Sequence, residues 1–200
     1  LSNGDDKPYE LNISWWSAME DSSRNSNRFQ FERFILTQLL VMALKGVPAF
    51  YLPALLASEN DIKRFSMTGQ RRDLNREKFK SDNLLSVFNN PESNANKNLK
   101  YLRNAMNVRS QLRQFHPCSE MKCLSKGRSD IVVIKRGQGT KSIFAIHNMT
   151  DNKINYQLND NDLPAKIDND FNVRDFLTST KYNWKNISLD PFQVIWIGSL

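Results

Sequence analysis

The chain has 200 residues, 40% of them hydrophobic, and a formal net charge of +7. This is enough apolar material for one large packed domain or two small ones, and no apolar run approaches the ~20 residues that a membrane span needs. The charge excess is local: residues 61–80 hold seven Lys or Arg against three Asp or Glu, a concentration that fits one anion site better than the extended basic stripe of a nucleic-acid binder.

Residues 1–28 are polar, with Pro8 and the aromatic pair Trp15-Trp16. A helix is expected from Phe29 to Lys45, because Phe31, Phe34, Ile35, Gln38, Leu39 and Met42 recur at helical spacing. Gly46 stands where a helix C-cap belongs. The continuous apolar run Val47–Leu52 reads as a buried strand, and a buried helix followed at once by a buried strand is the α-to-β step of a parallel α/β fold. Ser58 with Asp61 forms a capping-box pattern for a short helix over Glu59–Phe65.

The segment Thr68-Gly69-Gln70-Arg71-Arg72-Asp73-Leu74-Asn75-Arg76 has neither helical nor strand period. Guanidinium groups make planar, bidentate grips on oxyanions and hydroxyl pairs. Three of them beside Asp73 and Asn75 predict a polar pocket for a sugar or phosphate. The alternative is a solvated surface loop closed by its own salt bridges. In a parallel α/β fold, functional groups collect on the loops beyond the carboxyl ends of strands, which favours the pocket.

A second long helix is expected over Asn96–Phe115, ended by His116-Pro117 because the residue before proline is pushed out of the helical region. Beyond Pro117 come β-rich runs at 130–135, 141–147, 153–158, 172–177 and 192–197. They predict an all-β sandwich of roughly six to eight strands, with a domain boundary near 117. Tyr182 and Trp184 could form a sugar platform if their rings were exposed, whereas Trp196, inside Val194–Ile197, reads as core. Cys118 and Cys123 have only His116 nearby, and His147 is the one other histidine. That is too few ligands for a zinc site. Reduced thiols in a cytoplasmic setting follow, with no metal and no cofactor expected.

Four segments in this order resemble the sucrose phosphorylase-type enzymes of glycoside hydrolase family 13, the group that includes the sucrose 6-phosphate and glucosylglycerate phosphorylases. They are Pro8-Tyr9-Glu10-Leu11-Asn12, Gly46-Val47-Pro48-Ala49-Phe50-Tyr51, Asn60-Asp61, and Thr68–Arg76 with its T-G-x-x-R-x-x-N-R pattern. The resemblance implies an α/β segment, the last part of an incomplete (β/α)8 barrel, over residues 1–116. An all-β sandwich domain follows over 117–200. It makes Phe29–Lys45 the seventh barrel helix, Val47–Leu52 the eighth strand and Asn96–Phe115 the last helix.

The resemblance also implies a retaining, two-step glucosyl transfer in which phosphate takes the glucosyl group from sucrose or a related α-glucoside. Arg72 would bind the glucosyl unit. Tyr9, with Pro8 and Glu10 beside it, would shape the acceptor and phosphate site, although Tyr9 could instead simply pack with Trp15 or Trp16. By register Glu10 and Asp61 are neither nucleophile nor acid/base. The catalytic carboxylates would precede Leu1, since a barrel needs about 250 residues, so the chain is expected to be a fragment and inactive alone.

The partners implied are a sugar and inorganic phosphate, with no nucleic acid and no membrane. Self-association through the exposed barrel remnant is expected. Gln70 stands where the family often has arginine, Pro53 where histidine is frequent, and Glu59 replaces a basic residue, which leaves the acceptor open. The competing readings are a hydrolase or transglucosidase of the same superfamily, or a non-catalytic carbohydrate-binding or assembly module.

Overall fold

The computed structural model describes residues 10–21, 28–125, 127–159 and 172–198. The chain divides into two compact units: Leu1–Glu20 with Phe50–Asn98, and Asp21–Ala49 with Leu99–Leu200.

In the first unit, a single 3-10 turn at Ser17–Met19 is followed, after the sequence interval, by three helices: α2 (Leu52–Leu55), α3 (Ile62–Thr68) and α4 (Ser81–Asn89), with a 3-10 turn at Arg71–Asn75 between the last two. The run expected as a buried strand is not one. Val47 is 80% exposed and Tyr51 58% exposed, and none of Val47–Tyr51 is paired with a strand among the described residues. A strand exists only through its ladder partners, and an apolar run specifies burial without naming what it pairs with. Leu52 starts α2 instead, with Pro53 in the first helical turn, where its missing N–H costs nothing.

Helix α3 also starts later than expected. Asp61, not Ser58, is its N-cap, its Oδ1 accepting from the Arg64 N–H at 2.9 Å. Gly69 closes the helix in the left-handed conformation at φ 64°, which glycine adopts without steric penalty.

The second unit is built on β-structure. Eight strands are described: β1 (Met121–Cys123), β2 (Ile131–Arg136), β3 (Ile143–Asn148), β4 (Ile154–Tyr156), β5 (Asn172–Asp175), β6 (Lys181–Asn183), β7 (Ile187–Leu189) and β8 (Val194–Gly198). Six form an antiparallel sheet in the order β1-β2-β3-β8-β5-β6, while β4 and β7 pair as a separate ribbon. Five strands coincide with predicted runs. The other three, β1, β6 and β7, fall outside the predicted runs.

Side chains alternate across the sheet. Phe144, Ile146, Ile195 and Ile197 join Ile187 and Leu189 of the ribbon in one apolar core, the interior of a two-sheet sandwich. On the opposite face Trp196 meets Phe115 at 4.6 Å between ring centroids, and helix α1 (Gln30–Ala43) packs on β3. Both β3 and β8 are therefore buried along their whole length. This removes the aromatic platform: Trp184 is 4% and Trp196 0% exposed, and the half-buried Tyr182 packs against the core.

Helix α1 ends at Ala43 with Leu44 extended, so Gly46 is not its cap. Two arginines cap it instead. Arg109, from helix α5 (Asn94–Gln111), donates Nε to Met42 O at 3.0 Å and Nη2 to Gly46 O at 3.1 Å. Arg136, 0% exposed on β2, donates to Ala43 O at 2.9 Å, Leu44 O at 2.6 Å and His116 O at 2.9 Å. The orphan carbonyls and the negative dipole end of α1 are thus met by two positive charges. Helix α5 stops at Gln111, and Arg113–Phe115 continues as a 3-10 turn.

His147 is fully buried on β3, its Nδ1 3.3 Å from Val132 O, and burial pushes its pKa from 6.5 down to about 4. A depressed value means the fold holds the ring neutral while the unfolded chain protonates it near 6.5. The contribution is complete above pH 6.5 and is lost as pH falls toward 4, and 2.5 units correspond to about 3 kcal/mol. Asp175 works in the opposite sense: burial raises its carboxyl, so its contribution is complete below the ordinary Asp value and lost as pH rises. Comparison with a His147→Leu variant isolates the histidine. In urea unfolding between pH 7 and pH 4, the wild type should lose about 3 kcal/mol more than the variant. Equal losses would show that His147 does not titrate in this window.

Candidate functional site

The site grows from the arginine turn of the first unit. Its 3-10 geometry is set by the Asp73 N–H donating to Gln70 O at 2.9 Å, and the Asp61 N–H donates to Leu74 O at 2.8 Å, which ties the turn to the start of α3. Asp73 faces back toward α3. Arg64 Nε lies 3.0 Å from its Oδ1, and the Thr68 hydroxyl, with Arg64, holds its carboxyl below the usual range. Asp73 is therefore the structural acid of the turn.

Arg72 takes the other acid, 62 positions away. Its Nε donates to Glu10 Oε1 at 2.8 Å and its Nη2 to Glu10 Oε2 at 3.3 Å, a two-pronged guanidinium–carboxylate pair. The Arg72 hydrogen bond, with the charges of Arg72 and Arg76, holds the Glu10 carboxyl below its ordinary value. Both side chains keep solvent access, at 53% for Arg72 and 36% for Glu10.

Asparagine and serine side chains hold the 10–20 segment in place. Asn60 Oδ1 accepts the Ser14 N–H at 2.7 Å, and the Asn60 N–H donates to Ser17 Oγ at 3.1 Å. Trp16, 5% exposed, anchors the same segment. Three of the four segments singled out in the sequence thus converge: Glu10 on Arg72, and Asn60 on Ser14 and Ser17. Leu11, 80% exposed, takes no part in this packing. Pro8 and Tyr9 lie outside the described residues.

Arg71 is exposed and makes no side-chain hydrogen bond or ion pair among the described residues, whereas Asn75 Oδ1 is buried without a donor among them. The result is an exposed, cation-rich edge. One guanidinium is held in a fixed plane by a carboxylate, and two more, Arg71 and Arg76, flank it. Such an edge can bind vicinal hydroxyls or an oxyanion. Sequence reasoning did not foresee the Ser14 and Ser17 contacts, whose only signal was the proximity of two small hydroxyl residues to Trp16. Cys118 and Cys123 are both free and exposed. No described helix is long and apolar enough to cross a membrane.

No family model matches the chain. It is 30% identical over 145 residues to a glucosylglycerate phosphorylase of Allomeiothermus silvanus, covering 72% of this chain and 26% of that protein. It is 23% identical to a glucosylglycerate phosphorylase of Escherichia coli, covering 98% and 33%. To a sucrose phosphorylase of Streptococcus mutans it is also 23% identical, covering 77% and 29%. The chain spans about a quarter to a third of the length of the curated relatives it matches.

Among solved structures, a pullulanase from Anoxybacillus superposes with a TM-score of 0.63 at 11% identity, covering 95% of this chain and 26% of that one. AmyP in complex with maltose superposes at 0.59 and 15% identity, covering 84% and 34%. The fold is that of alpha-amylase-family enzymes, a partial barrel followed by a β domain. The chain is a relative of the glucosylglycerate and sucrose phosphorylases.

Proposed function

We propose that this chain is the carboxyl-terminal portion of a retaining glucosyl-transferring phosphorylase that converts an α-glucoside and phosphate to glucose 1-phosphate. Residues 1–116 would complete the (β/α)8 barrel and 117–200 form the sandwich domain. The observation that carries this reading is the Glu10–Arg72 pair, which joins two segments distant in sequence into one cation-rich edge.

In a retaining transfer, a carboxylate forms a glucosyl-enzyme intermediate and an acid/base carboxyl serves both steps. This chain's part is positioning and charge. Arg72, its plane fixed by Glu10, holds glucosyl hydroxyls. Arg71 and Arg76 raise the local concentration of the incoming phosphate dianion, which replaces water as the acceptor. The carboxylates themselves would come from the preceding part of the enzyme. Val47–Tyr51 would find its strand partners there too.

Glucosylglycerate is the favoured substrate. Its glycerate is a carboxylate, which an arginine-rich edge accommodates more readily than neutral fructose, and three of the relatives carry that activity in their names. The test is product analysis on the full-length protein from its native source, given glucosylglycerate or sucrose with and without phosphate. Glucose 1-phosphate formed only with phosphate is the expected result. Free glucose released at the same rate without phosphate would make the parent a hydrolase.

A further inference from the structure

A second candidate site is formed by residues of the sandwich unit alone. It is an open pocket of about 580 Å³ whose surface is mostly apolar, from Leu112, Phe115 and Pro117, with Arg109, Arg113 and His116 as its basic groups. That volume is within the range of small-molecule sites and far exceeds what a lone phosphate fills.

The charge around it is unbalanced. Arg109 and Arg136 both lie near the Phe115 ring, at 5.9 and 5.7 Å from its centroid, and Arg136 hydrogen-bonds the carbonyl of the cavity residue His116. Neither arginine forms an ion pair among the described residues. Burial, with Arg109 nearby, disfavours the Arg136 charge. Carbonyls satisfy most of their N–H groups, but Arg136 Nε is buried without an acceptor among the described residues. Arg113 is exposed and makes no side-chain hydrogen bond or ion pair among them. His116 Nδ1 accepts the Cys118 N–H at 3.2 Å, which leaves Nε2 as the protonated, donating nitrogen of the neutral ring. Ser110 and Ser119 hold their protons on Asn107 O and Arg113 O, respectively.

We propose that this cavity binds a phosphate group, free or carried on a small sugar ester, with Arg113 and His116 as donors to its oxygens and Arg109 and Arg136 as the positive field behind them. The site is independent of the glucosyl-transfer reading, because none of its residues lies in the arginine turn.

The test is equilibrium dialysis of the 200-residue chain at about 0.15 M salt, where weak surface attraction is largely screened. The probes are inorganic phosphate and, separately, glucose 6-phosphate. Arg113→Gln removes an exposed side chain with no protein partner, so the fold is untouched, and it should weaken binding of both probes at least about tenfold. Lys181→Gln, which removes an exposed positive charge outside the pocket lining, should leave binding of both probes unchanged. Tighter binding of glucose 6-phosphate than of phosphate identifies an ester as the ligand, and equal binding identifies the free anion. Unchanged binding in Arg113→Gln, an equal loss in Lys181→Gln, or no binding by the wild type overturns the proposal.

Discussion

Replacing Arg136 with methionine should cost the fold about 2–4 kcal/mol, the scale of two acceptors at the end of α1 left without their donor at ~1–3 kcal/mol each. Arg136 is 0% exposed and bonds three carbonyls, Ala43 O, Leu44 O and His116 O. Methionine keeps the apolar stem but takes the Arg136 donor from Ala43 O and Leu44 O, while His116 O still accepts the Ser119 N–H at 2.9 Å, and each charge-assisted bond lost counts for more than a neutral one. Two opposing effects limit the loss: relief of the buried cation's desolvation, and relief of its repulsion with Arg109. Two carbonyls left without this donor at the end of α1 outweigh them. Arg136→Lys, which keeps the charge but cannot fork to three acceptors, should fall between. Urea unfolding reads all three proteins. A methionine variant as stable as the wild type would mean that the α1 carbonyls are satisfied without Arg136.

What the sequence revealed and what it concealed divide along the range of the interactions involved. Helices α1 and α5 and five of the eight described strands follow from spacing that each segment carries within itself. Asp61 belongs to the same local capping pattern, as the cap itself rather than the partner of Ser58. Gly46 was a reasonable stop signal for α1. The real cap comes from Arg109 and Arg136, 67 and 93 positions from the carbonyls they meet, and no local pattern announces them.

The run Val47–Leu52 failed for the same reason in reverse: it is apolar enough to be a strand, yet pairing partners decide whether it is one. At the site, the density of arginines between 68 and 76 was legible, and resemblance placed Glu10 nearby. That Glu10 and Arg72 form a two-pronged ion pair, and that Asp73 turns away to Arg64, depends on how α3 and the turn pack.

The Glu10–Arg72 pair makes the proposed phosphorolysis testable in the full-length protein. Arg72→Lys should lower kcat/KM for phosphorolysis by about 10²–10³-fold, the scale of losing one positioned donor to developing charge. Lysine retains the charge but cannot lie flat against Glu10 and a diol at once. Because Arg72 is half exposed, the unfolding midpoint should hardly move, which separates a positioning loss from a structural one.

Glu10→Gln should lower the rate less, since the amide can still accept one of the two guanidinium bonds. The decisive measurement is the double variant. If Glu10 acts only by orienting Arg72, Glu10→Gln should add almost nothing once Arg72 is lysine, a non-additivity expected of groups that work as one unit. If the two losses multiply, Glu10 meets the substrate directly, and the edge holds two independent contacts rather than one braced guanidinium.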